Sequence, residues 1–129
     1  MAALGAAQKA PLALRVGGNS SDESWWNPAR LPRPHRVLYD LGPAWVASLA
    51  SGQARSAAPV ALGLNLALDD PGNALALVRA VRARLKRPGV VSLEIGNEPD
   101  LFAVRGPSTW AGSSFTDHGS GSATAPHAT

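Results

Sequence analysis

The chain has 129 residues, 45% of them hydrophobic, with 12 basic and 9 acidic side chains giving a net charge of +3. This length and apolar content suit one folded domain, and the absence of cysteine excludes a disulfide scaffold or a thiolate metal site. Ten of the twelve bases are arginine, which raises the pI to 10.2 without forming one dense basic block, so nucleic acid is not indicated as a partner.

No apolar stretch approaches the ~20 residues of a membrane span. The opening "MAALGAAQKAPLAL" lacks the basic start and long apolar middle of a signal peptide, which leaves the compartment open. Residues 1–11 are predicted to be a flexible segment. "PLALRVGG" then holds a short β-compatible run stopped by two glycines, which predicts a strand over about Leu12 to Val16. "NSSDESWWNPARLPRPH" is expected to be loop, because three prolines within seven residues and clustered Ser, Asp and Asn disfavour regular structure. "PAWVASLA", Pro43 to about Ala50, reads as a short helix with proline in its first turn. "APVALGLNLAL", Ala58 to Leu68, is apolar almost throughout, as strands buried on both faces are.

Helical spacing returns between Asn73 and Arg87. Ala74, Val78, Val81 and Leu85 form one stripe, and Arg79, Arg82 and Lys86 another. Pro88-Gly89 ends that helix, and "VVSLEI", Val90 to Ile95, is the third predicted strand. Alternation of strand and helix with short connections predicts an α/β fold with a parallel sheet. The folded domain is expected to span residues 12–105. Beyond it, residues 106–129 are mostly Gly, Ser, Thr and Ala with little to bury, and are expected to be disordered.

In parallel α/β folds chemistry gathers at the carboxyl ends of strands, and both polar bursts of this sequence fall there. Asn19, Ser20 and Asp22 follow the first predicted strand, and Asn97, Glu98 and Asp100 follow the third. Gly17-Gly18 permits a tight turn and close approach of a ligand, and Pro99 stiffens the exit after Glu98. Arg15 and Glu94 share strand parity with Asn19 and Glu98 and are expected either to pair deeper in the sheet or to leave Glu94 solvated. Glu98 has a plainer reading as part of a helix start capped by Asn97. Trp25 and Trp26 either stack on a ligand or pack their own loop, and the arginine-rich helix face is ordinarily solvated. The three histidines lie among prolines or in the tail, no phosphate-binding loop is present, and neither a metal nor another cofactor is implied.

"LRVGGNSSDESWWNP", "LGLNLAL" and "LEIGNEPDLF" together resemble glycoside hydrolase family 79, the β-glucuronidases and heparanase-like enzymes. The resemblance covers about Leu12 to Phe102 and implies part of a retaining (β/α)8-barrel glycosidase. It implies a partial TIM barrel of about strands two to four, Glu98 as general acid/base, Asn97 as its substrate-orienting neighbour, and Asn19 and, less directly, Asp22 as substrate contacts. The implied partner is a glucuronide or another glycan containing uronic acid. Such chemistry needs a carboxylic acid of raised pKa against the glycosidic oxygen and a second carboxylate ~5 to 5.5 Å away. The family's nucleophile lies on a later strand, so this chain is expected to be inactive by that mechanism on its own. The alternative is a non-catalytic carbohydrate-binding or pseudo-enzyme module.

Overall fold

The structure is a computed structural model, and it describes residues 12–102. The flexible segment at 1–11 and the disordered tail at 106–129 expected from sequence lie outside the described residues. Those described form two compact units, one ending at Asn97 and the other beginning at Glu98.

The first unit contains β1 (Leu14–Val16), β2 (Ser24–Trp26), β3 (Tyr39–Leu41), α1 (Pro43–Ser56), β4 (Val60–Leu64), α2 (Pro71–Arg84) and β5 (Val90–Ile95). Strands β1, β4 and β5 form a parallel sheet with β4 in the centre, and β2 pairs with β3 in a second parallel sheet. In β4, Val60, Leu62 and Leu64 are buried while Ala61 and Gly63 between them are only partly so. The three large residues pack with Val46 of α1 and Leu77, Val78 and Val81 of α2, so both helices cover one face of the sheet. Truncating Leu62, 1% exposed, to Ala removes about 3 kcal/mol by the usual cost of a buried leucine.

Local chemistry sets the helix limits. Pro43 and Pro71 occupy first-turn positions where no N–H is needed. The Asp70 carboxylate caps α2 by accepting from the Asn73 N–H at 2.8 Å. At its other end α1 stops when Ala57 enters the left-handed region and its N–H reaches Gln53 O. The wholly buried Gln53 side chain then donates to Lys86 O at 3.1 Å, joining the exits of the two helices.

Among the described residues the expected partial (β/α)8 barrel does not form. In a barrel each strand leads to a helix and has a strand on both sides. Here β1 leads to a 3₁₀ turn, Asn19–Ser21, and then to the separate β2–β3 pair. Among the described residues β5 pairs only with β4, and Val91, Leu93 and Ile95 are 58%, 47% and 62% exposed. The described residues form a small α/β arrangement of two helices and five strands in parallel sheets. Among the described residues no helix is long and apolar enough to cross a membrane.

The segment expected to be pure loop therefore holds regular structure, stabilised by two buried or half-buried amides. Asn73 accepts from Trp26 N at 2.9 Å and donates to Trp26 O at 2.8 Å, so its side chain supplies the pairing that another strand would give β2. Asn27, 4% exposed, donates to Leu31 O and accepts from Leu31 N, both at 2.8 Å, and so closes the proline-rich turn.

Candidate functional site

The sheet face away from the helices carries the small residues of β4. Arg15 of β1 is in register with Ala61, and Gly63 with Glu94 of β5. Small side chains between them let the two charged ones meet: Arg15 Nε donates to Glu94 Oε1 at 3.0 Å and to Oε2 at 2.8 Å. The pair is present, but its side chains are 57% and 33% exposed, so it does not neutralise buried charge. A half-solvated pair of this kind contributes at most about 1 kcal/mol. Urea unfolding of Arg15→Met, Glu94→Met and the double variant is expected to give a coupling below about 1 kcal/mol.

Above that pair the loops after β1, β4 and β5 converge. Arg15 Nη2 donates to Asn97 Oδ1 at 3.4 Å, and Asn97 Nδ2 donates to Asn19 Oδ1 at 2.8 Å. Two of the expected substrate contacts, 78 residues apart in sequence, are thus in direct contact at the strand ends. Asn19 enters through the φ +96 backbone of Gly18, a conformation that glycine adopts without penalty.

Asp22 has a different role from a solvent-facing contact. Its Oδ1 accepts from Leu66 N at 2.9 Å and Ala67 N at 3.3 Å, and its Oδ2 from Asn97 N at 2.7 Å. Both oxygens are committed to the backbone of the β4 and β5 exits, which makes Asp22 the tether that holds Asn97 in place. The sequence marked Asp22 as polar and near the site; the three backbone donors that define its role come from remote loops.

Glu98 opens the second unit. It is exposed, its φ of 49° lies in the left-handed region, and it precedes a 3₁₀ turn, Pro99–Leu101, with its carbonyl accepting from Leu101 N at 2.9 Å. The cap of that turn is Glu98 and not Asn97, and it makes no side-chain capping bond. A non-glycine residue at positive φ costs of order 1 kcal/mol and recurs at functional positions.

A cavity of about 590 Å³ also opens in the first unit, a volume suited to a small-molecule ligand. Its lining includes Trp25, Tyr39, Asp40 and Trp45, of which only Trp25 stands out in the sequence as a candidate ligand contact. Trp26 instead packs against the core. Asp40 is held below the ordinary aspartate value of 3.8, first by the Asn27 amide, then by the Trp25 indole N–H, with Arg33 assisting and desolvation opposing. A carboxylate of lowered folded pKa stabilises the fold above its unfolded pKa, and that contribution disappears as pH falls through the folded value. Urea midpoints of wild type and Asp40→Asn are therefore expected to differ at pH 6 and to converge as the pH is taken down through and below 3.8. Among the described residues no group of three or more metal-ligating side chains is clustered. No protein-family model matches this chain, and no curated protein matches it.

Proposed function

We propose that this chain carries the sugar-binding and proton-donating part of a retaining glycosidase site for β-linked uronic acid glycosides. Support comes chiefly from the hydrogen-bonded amides of Asn19 and Asn97 at the strand ends, a donor–acceptor pairing suited to vicinal hydroxyls. Asn97 contacts the hydroxyl beside the reacting carbon, and Asn19 a neighbouring one. Glu98, the next residue in the chain, is assigned the proton that the glycosidic oxygen needs in order to leave.

Hydrolysis by this route needs a second carboxylate at the anomeric carbon. The two carboxylates gathered with the asparagines are already engaged, Asp22 by three backbone N–H groups and Glu94 by Arg15. That observation favours a second reading, in which the chain binds glycans without cleaving them. The test is calorimetry of the full chain with a glucuronate-containing disaccharide, beside an assay on a chromogenic β-glucuronide. The expected result is binding without turnover, weakened at least tenfold in Asn97→Ala. Turnover abolished by Glu98→Gln would exclude the non-catalytic reading, and absence of binding would overturn both.

A further inference from the structure

The cavity neighbours the asparagine pair: Arg15 and Ser20 line it, Arg15 also donates to Asn97, and Ser20 follows Asn19. Its aromatic residues come from three elements: Trp25 on β2, Tyr39 on β3 and Trp45 on α1. Tyr39 is half exposed, and its hydroxyl, the Ser20 hydroxyl and the Trp45 indole N–H make no hydrogen bond among the described residues. Asp70 Oδ1 is occupied by Asn73 N, while Oδ2 has no partner among them.

The charges around this space select against an anion. Arg15 is neutralised by Glu94, and Asp40 by Arg33. Asp70 has no ion pair among the described residues, so the lining tends to the negative. A purely apolar ligand fits no better, since it would strip water from Asp70 Oδ2, the Tyr39 and Ser20 hydroxyls and the Trp45 indole N–H without replacing their hydrogen bonds. Aromatic faces beside hydroxyl, indole N–H and carboxylate groups match a ring that is apolar on its C–H face and hydroxylated at its edge.

We propose that this cavity is a subsite for an uncharged pyranose ring, so that the chain recognises a neutral sugar next to the one held by Asn19 and Asn97, an assignment that rests on the carbohydrate reading above. The ligand class is then a mixed glycan in which a neutral residue flanks the uronate.

The test uses the full chain, intrinsic tryptophan fluorescence and calorimetry, with a neutral β-linked gluco-oligosaccharide and a glucuronate disaccharide as probes. The neutral probe is expected to bind, to perturb tryptophan emission, and to lose at least tenfold in affinity in Tyr39→Ala, a variant chosen because the ring is half exposed and its removal spares the core. Trp45→Phe, which retains an aromatic ring but lacks the indole N–H, is expected to lose affinity more modestly. No binding of the neutral probe overturns the subsite, as does unchanged affinity in a Tyr39→Ala protein of native circular dichroism. Retention of glucuronate binding in Tyr39→Ala with its loss in Asn97→Ala, while the neutral probe ignores Tyr39→Ala, overturns the subsite and leaves the uronate reading standing. Loss of neutral-probe binding in Tyr39→Ala, with no glucuronate binding by wild type, does the reverse.

Discussion

Gly63→Ala is expected to lower stability by about 3 kcal/mol, at the upper end of what an overpacked core position costs. A Cβ at Gly63 would sit 2.9 Å from Gly17 Cα, 3.0 Å from Val16 O and 3.2 Å from Ser21 Cβ. The first two are backbone atoms at the end of β1 and just beyond it, so no rotamer change relieves the clash. Relief requires β1 to move away from β4, which breaks the pairing Val16↔Leu62 and the reach of Arg15 to Glu94. Gly52, in the interior of α1, provides the control, since a Cβ there meets nothing within 4 Å. Gly52→Ala is expected to raise stability by about 0.5 to 1 kcal/mol through helix propensity and unfolded-state entropy. Urea denaturation of both variants checks the opposite signs; equal effects would show that the Gly63 contact is not limiting.

The second large effect belongs to Asp22. In Asp22→Ala the Leu66, Ala67 and Asn97 N–H groups lose their carboxylate acceptor together. Hydrogen bonds to a charged group contribute about 1.5 to 3 kcal/mol each, and water recovers part of that at a partly exposed site. A loss of about 3 kcal/mol is expected, together with faster amide hydrogen exchange at Leu66, Ala67 and Asn97 before global unfolding. Asp22→Asn keeps one acceptor oxygen but places an NH₂ against backbone donors, so it is expected to recover less than half. If Asp22 only met solvent or ligand, exchange at those three amides would stay unchanged.

Legibility in the sequence followed how locally each feature is determined. β5 was readable to the residue, because Val90 to Ile95 is bounded by Pro88-Gly89 and Gly96. The helical spacing from Asn73 to Arg87 misses the first two residues of α2 and overruns its end at Arg84, since Asp70 caps the helix and Pro71-Gly72 belong to its first turn. The apolar run Ala58 to Leu68 is longer than β4, because beyond Leu64 it continues into a turn where Asn65 accepts from Leu68 N at 2.8 Å. β2 and β3 were not readable. Each has three residues, their pairing spans a proline-rich turn, and the Asn73 amide that completes β2 lies on a later helix. The strand–helix alternation is common to barrels and open sheets, and what separates them is whether the outer strands find neighbours.

The same division holds at the site. Asn19 and Asn97 are recognisable as polar residues directly after strands, whereas strand parity leaves open both a buried Arg15–Glu94 pair and a solvated Glu94, and the pair that forms is half-solvated. The commitment of Asp22 to three amides and the gathering of Tyr39, Asp40 and Trp45 around one cavity arise only from tertiary packing, and no local pattern announces them.

The outer strand has a consequence for how this protein behaves in a crowded solution. Along β5, Val91, Leu93 and Ile95 stand open to water beside a row of peptide groups that pair with no strand among the described residues. An extended segment from any source can extend the hydrogen-bonding ladder there while covering the aliphatic side chains. Self-association at rising concentration is therefore expected to use this edge, which lies on the opposite side of the sheet from β1.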